Sequence, residues 1–358
     1  MERKVLVVGG LGVVGRTYLN HLEKRGGWKM VALSRRAPDF ETAAEFRSVD
    51  LRDLEDCRAK LSDLSDITHM VYTANYEKPN LIAGWTDPEH VEVNLAMLRN
   101  IMSVVEPLAR SLKHVTLMQG AKAYGAAAGP YKIPAKESDA RYLAPNFYYV
   151  QEDYLRGLQQ GKSWTWTALR PQVVIGHATA SAMNGITAIG TFAAISRELG
   201  MPLRFPGGAP RVNEATDARL LAKAIEWAGQ EPRCAGEAFN IVNGDVFTWE
   251  AVWPRIAKLF GMEVGPAAAV SLNRVMVDKA AVWERVVKRY GLQPYSLDEL
   301  TPNWQFADSM FGYGSRPNPS HLSTIKARKY GFQECQDSEE MLLDWLTLLQ
   351  EQRILPPA

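Results

Sequence analysis

Residues 4–15 run Lys4-Val5-Leu6-Val7-Val8-Gly9-Gly10-Leu11-Gly12-Val13-Val14-Gly15, and the change from a β-branched run to spaced glycines decides the fold. Lys4–Val8 reads as a short buried strand. Gly9, Gly12 and Gly15 then form Gly-x-x-Gly-x-x-Gly. A strand that turns sharply into a helix, admits a pyrophosphate to its backbone and lets the helix pack closely on a sheet has no room for side chains at such positions. From Gly12 to about Arg25 the spacing is helical, with Leu19 and Leu22 on one face. The start of that helix offers unpaired N–H groups and a partial positive charge to a phosphate. Glycine spacing alone is a weak signal, but a strand before it and an amphipathic helix after it are the context that specifies dinucleotide binding. Gly9, Gly12, Val13, Val14 and Gly15 are therefore candidate cofactor-binding residues.

The reading extends outward from this loop. A second apolar run, Met30–Leu33, ends in Ser34-Arg35-Arg36. An acidic side chain here would take the ribose hydroxyls, whereas two guanidinium groups suit a 2′-phosphate. The expected cofactor is thus NADPH/NADP+, held in part by Ser34, Arg35 and Arg36. Asp50-Leu51 follows the third run, Phe46–Val49, where an aspartate is placed to face the adenine amino group. His69–Thr73, His114–Met118, Trp166–Leu169 and Gln172–Ile175 read as further strands, with a long helix over Val91–Val105. Strands alternating with helices imply βαβ units and a parallel sheet. The predicted fold is α/β: a Rossmann-type doubly wound parallel sheet with an interleaved, smaller mixed α/β substrate-binding region. The dinucleotide-binding unit takes residues 1–176, with 212–245 returning to it through a helix at Thr216–Ala228 and a strand at Ala238–Val242. The substrate-binding region takes 177–211 and 246–358, with helices at Trp249–Phe260 and Ser338–Gln350 and loops at Phe205–Pro210 and Phe311–Pro319. Gly157–Ser163, GLQQGKS, imitates a Walker loop, but it follows a helix and its first glycine is one residue too close.

Composition removes other classes. The 358 residues are 46% hydrophobic and 23% charged, which argues against disorder. A net charge of +1 with no basic run gives nucleic acid no electrostatic footprint. No apolar stretch is long enough to span a membrane. Three scattered cysteines provide neither a disulfide framework nor a zinc site, and no histidine pair has ligand spacing, so no metal is expected. The N-terminus lacks the apolar core of a secretory signal, and Asn318-Pro319-Ser320 is disqualified as a glycosylation acceptor by its proline. A cytoplasmic location is the expectation.

The chemical site departs from the common dehydrogenase arrangement, Tyr-x-x-x-Lys on one helix face: none of the thirteen tyrosines has a lysine four residues later. A lysine stands instead in Met118-Gln119-Gly120-Ala121-Lys122-Ala123-Tyr124, after a strand and at the sheet edge where ligands bind. A tyrosine pair stands in Asn146-Phe147-Tyr148-Tyr149-Val150-Gln151-Glu152-Asp153, opening a helix. These segments, with Ser34-Arg35-Arg36 and the glycine loop, resemble the progesterone 5β-reductase/iridoid synthase-like family of atypical extended short-chain dehydrogenases/reductases. Glu92-Val93-Asn94, Arg170-Pro171, Ser181-Ala182-Met183-Asn184 and Phe239-Asn240-Ile241-Val242-Asn243-Gly244-Asp245 extend the resemblance along the chain.

The resemblance implies Tyr148 and Lys122 as catalytic residues, with Tyr149 the nearest rival to Tyr148. It implies an NADPH-dependent reductase of α,β-unsaturated carbonyl compounds. Hydride addition at the β-carbon of an enone creates an enolate oxygen, which a phenol stabilises by a hydrogen bond. A nearby ammonium is expected to lower the phenol pKa. Carbonyl reduction or alcohol oxidation by the same pair, or a non-catalytic NADP-binding regulator, are the alternatives. Three extra small residues, Ala126-Ala127-Ala128, precede Gly129-Pro130-Tyr131, where the family has Gly-Pro-Phe soon after the lysine motif. The substrate is therefore expected to differ from steroid or oxo-monoterpene enones. Met183 and Phe205, with Tyr149, are candidate substrate-lining residues, and Trp304–Tyr313 resembles a C-terminal lid segment. Expected partners are a small apolar enone or carbonyl substrate and, as an assembly, a homodimer.

Overall fold

A computed structural model of the chain describes residues 3–314 and 320–358. Its centre is a parallel sheet of seven strands: β1 (Arg3–Val8), β2 (Trp28–Ser34), β3 (Glu45–Ser48), β4 (His69–Tyr72), β5 (His114–Met118), β6 (Thr165–Pro171) and β7 (Glu237–Ile241). Their spatial order is β7-β6-β5-β4-β1-β2-β3. The order reverses between β1 and β4, which is where open α/β sheets bind ligands. Alternation along β1 serves both faces. Leu6 and Val8 join the core under α2 (Leu54–Leu61), α3 (Pro88–Leu108) and α4 (Phe147–Gln159), while Val5 and Val7 join that under α1 (Val13–Arg25) and α6 (Ala218–Gln230). Asp53 and Asp87 begin α2 and α3 by accepting from backbone N–H groups of the first turn, and Asn146 does so for α4.

A third core lies beyond the carboxyl ends of the strands. There α5 (Gly185–Glu198) is buried almost all round by α7 (Trp249–Leu259), α8 (Ala280–Tyr290), α9 (Trp304–Phe311) and α10 (Ser338–Glu351). Phe205, Trp249, Trp253 and Phe311 form an aromatic cluster within it.

Some segments differ from their sequence reading. Gln172–Ile175 does not continue the main sheet. Pro171 ends β6 without a ladder donor and Val173 turns out at φ 43°, so only Val174–Ile175 is extended, paired with Thr216–Asp217. Helix α6 accordingly starts at Ala218 rather than Thr216. The segment 157–163 lies at the end of α4 and just beyond it. The chain after α9 crosses back to Ala135, which forms an isolated bridge with Leu322: Ala135 N–H donates to His321 O (2.8 Å) and Ser323 N–H donates to Ala135 O (2.8 Å). Ala327 and Phe332 pack in the core with α1 and α6. The loop expected at Phe311–Pro319 lies partly outside the described residues, as does most of Asn318-Pro319-Ser320; α9 extends through Phe311.

Candidate active site

The glycine loop is shaped as its spacing requires. Gly9 sits at φ +88°, and a Cβ there would lie 2.8 Å from Ala74 N. A Cβ on Gly15 would lie 2.3 Å from Gly9 O, so this glycine permits the helix to close on the turn. The α1 N-terminus has no side-chain cap, leaving its first turn available to an anion. From this loop a cavity of about 1430 Å³ runs across the sheet edge to the third core. Gly9, Gly12, Val13, Val14, Ser34, Arg35, Arg36, Asp50 and Leu51 line it. Gly15 does not, being packed behind the loop, so its part is steric rather than a ligand contact.

Arg35 and Arg36 stand at the end of β2, as the sequence places them. Arg36 donates to Thr179 O (2.8 Å) and Thr179 Oγ1 (3.3 Å), tying the nucleotide end of the cavity to the segment before α5. The Asp50 carboxylate is gripped by Arg52 at 2.6 Å, and this hydrogen bond holds it down at about 2. The residues present fit a dinucleotide: an uncapped helix start, a glycine cradle and two arginines on one wall.

Lys122 and Tyr148 meet at the other end. Lys122 lies on a single 3₁₀ turn, Ala121–Tyr124, directly after β5, and Tyr148 lies in the first turn of α4. Asn146 holds both: its Nδ2 donates to Lys122 O (2.6 Å) and its Oδ1 accepts from Tyr148 N (3.0 Å). Both side chains line the cavity. Among the described residues the Tyr148 hydroxyl has no hydrogen-bond partner; it lies 3.3 Å from where a Gly120 Cβ would stand.

Lys122 is not a solvated surface lysine. Its Nζ is buried and has no hydrogen bond among the described residues; it lies 4.4 Å from the Trp85 ring centre and 5.6 Å from those of Phe147 and Tyr148. Burial pulls its pKa down, and the Glu77 carboxylate at 3.8 Å opposes that. The expected lowering of the Tyr148 pKa is not found. Burial raises it, and the negative charge of Glu77 raises it further. A phenol in this setting stays protonated and able to donate.

Two expected lining residues lie elsewhere. The Tyr149 hydroxyl donates to Ala123 O (2.7 Å) and accepts from Tyr142 N (2.9 Å), bracing the lysine turn away from the cavity. Phe205 is an aromatic-core residue, wedged against Trp249, Trp253 and Phe311. Met183 does line the cavity, with Ala126–Tyr131 and the α9 residues Phe306 and Met310. Sequence reading missed Trp85 and Glu77. Both sit in the long connection after β4, where neither period nor motif marks them.

The comparisons agree with this architecture. A family model described as a PRISE-like Rossmann-fold domain matches residues 48–306. An (S)-8-oxocitronellyl enol synthase from Nepeta racemosa is 34% identical, covering 99% of this chain and 94% of its own. A 3-oxo-Δ(4,5)-steroid 5β-reductase from Arabidopsis thaliana is 32% identical with the same coverage of both chains, 99% and 94%. Among solved structures, UDP-glucose 4-epimerase from Thermotoga maritima superposes with TM-score 0.69 at 16% identity, covering 97% of this chain and 99% of its own. The Thermus thermophilus epimerase, solved with NAD, gives 0.65 at 19%, covering 96% and 99%. At that identity the two structures speak for the fold alone. The two enzymes of known reaction extend the match over nearly the whole chain, and with the family model they settle its kinship: this protein belongs to the PRISE-like Rossmann-fold family.

Proposed function

We propose that the protein is an NADPH-dependent reductase of α,β-unsaturated carbonyl compounds, acting by 1,4-addition. The observation that carries this reading is the Tyr148 hydroxyl: neutral, unpartnered and facing a cavity that runs from the glycine loop. Gly9, Gly12, Val13 and Val14 would hold the pyrophosphate, and Arg35 and Arg36 the 2′-phosphate. When bound, the cofactor supplies the hydride. Tyr148 donates a hydrogen bond to the substrate carbonyl oxygen, and that bond strengthens as the oxygen takes on enolate charge. Lys122 adds positive potential from within its aromatic surround, without touching the oxygen. The apolar wall of Met183, Phe306 and Met310 receives the hydrocarbon part of the enone. The α-carbon takes its proton from solvent. Two relatives named for enone-derived chemistry, an 8-oxocitronellyl enol synthase and a 3-oxo-Δ(4,5)-steroid 5β-reductase, support the reading. The lengthened Ala126–Tyr131 segment on the cavity wall supports a substrate shaped differently from theirs.

Tyr148→Phe tests the assignment. It is expected to lower kcat for 2-cyclohexenone or a 3-oxo-4-ene steroid by roughly 10²-fold or more, the scale of losing one oxyanion donor. The NADPH Kd should stay within about twofold, since a hydroxyl facing the enone makes no cofactor-specific bond. Tyr149→Phe, which loosens only the bracing of the lysine turn, should be milder. An inactive Tyr149→Phe beside an active Tyr148→Phe would reverse the assignment.

A further inference from the structure

The aromatic surround of Lys122 raises a question that the Tyr148–Lys122 pair does not answer by itself. An ammonium taken out of water loses its hydration, and a buried lysine without a counter-charge tends to become neutral. The rings of Trp85, Phe147 and Tyr148 attract a cation but do not replace that hydration. Among the described residues, Glu77 is the one carboxylate within ion-pair reach, at 3.8 Å. The other ionisable groups facing this corner are the Tyr148 phenol and, behind Glu77, His90.

Glu77 lines the cavity and is itself held from behind. Its Oε1 accepts from Asn75 Nδ2 (2.5 Å), and its Oε2 lies 3.2 Å from His90 Nε2. His90 is fully buried on α3 and packs edge-on against Phe147, the residue before Tyr148. The backbone before Glu77 is clamped by Asn94: its Oδ1 accepts from Tyr76 N (2.9 Å) and its Nδ2 donates to Tyr76 O (3.0 Å). Gln151 of α4 in turn donates to Asn94 O (2.8 Å). The carboxylate therefore has one seat, fixed by α3 and α4 together. A mobile surface acid would not be so constrained.

We infer that Glu77 is a positioning residue for the active site: its carboxylate keeps the buried Lys122 ammonium charged and seated against the Tyr148 ring. Its second effect is on the phenol, whose pKa burial already raises and the same negative charge raises further. One anion thus favours in both members of the pair the states that enolate stabilisation uses, a cation and a neutral donor. The kinetic part of the test rests on the reductase reading; the spectroscopic part does not.

The experiment titrates Lys122 in protein labelled with [13Cε]lysine, its signal assigned by Lys122→Arg, in the unmodified chain, Glu77→Gln and Glu77→Asp. Glu77→Gln keeps the shape and removes the charge. Its Lys122 midpoint is expected at least about one pH unit below that of the unmodified protein, with Glu77→Asp in between. In parallel, the alkaline limb of kcat for NADPH with 2-cyclohexenone should move down by the same interval in Glu77→Gln, activity returning as pH falls. Coincident midpoints overturn the proposal. So does a uniform loss of kcat at every pH with the midpoint unmoved, which assigns Glu77 to packing alone. If Glu77→Gln does not fold by its thermal midpoint, Glu77→Asp carries the same test in the same direction. If the unmodified protein reduces no enone, the reductase reading fails, and the midpoints alone decide the role of Glu77.

Discussion

Lys122 and Tyr148 lie far apart in the chain and meet because Asn146 bonds to the backbone of both. The sequence displayed the two residues but not their surroundings. Burial of the lysine and the charge of Glu77 depend on a connection whose path no periodicity describes, and so the phenol was expected to shift downward when it shifts upward. The nucleotide end is more legible, because glycines and arginines act there through position alone. Its prediction belongs to two side chains. Replacing Arg35 and Arg36 together by serine should raise the KM for NADPH about tenfold or more, on the scale of losing charge-assisted bonds to a phosphate, and leave the KM for NADH nearly unchanged. Steady-state kinetics with both cofactors check it. Equal use of the two by the unmodified protein would contradict the 2′-phosphate role.

The motifs that carried the family resemblance turn out to join elements. Arg170 at the end of β6 donates through Nε to Gln119 (2.7 Å), through Nη2 to Glu152 of α4 (3.1 Å) and through Nη1 to the Tyr124 hydroxyl (3.2 Å). Tyr124 donates onward to Asn240 of β7 (2.6 Å). Four segments are locked by one buried network immediately behind the site; of its residues Gln119 lines the cavity, while Arg170, Tyr124, Glu152 and Asn240 lie behind it. Glu152 keeps its charge because the guanidinium of Arg170, with Gln119, Arg141 and Arg156, outweighs its burial. Glu152→Gln leaves Arg170 buried without its carboxylate and should cost roughly 3–5 kcal/mol of stability, read as the denaturant midpoint at unchanged slope. A loss under 1 kcal/mol would show that the network is not stabilising. At this scale β1, β5 and α3 were legible, since β1 and β5 are short buried runs and α3 keeps a helical period. Helix α5 was not read, because a helix buried on all sides has no polar face to mark it. Helix α2 was missed for the opposite reason: it is short and mostly polar, marked chiefly by its Asp53 cap.

Across the whole molecule, the cavity joins regions distant in sequence. Its nucleotide wall comes from the first strands, its chemical corner from β5 and α4, and its apolar wall from the segment before α5 and from α9. The sequence reading divides the chain into residues 1–176 with 212–245 and residues 177–211 with 246–358. It did not anticipate that the chain near Ala327 and Phe332 returns to the sheet, because those two apolar residues sit in a stretch too short to show a period. Hydride delivery to the β-carbon of an enone in this composite cavity is read by product analysis with [4-2H]NADPH and 2-cyclohexenone. The expected product is cyclohexanone carrying deuterium at the β-carbon, with one NADPH consumed per product. Deuterated 2-cyclohexenol, with the label on the former carbonyl carbon, would contradict it, as would NADPH that binds and is never oxidised by any enone.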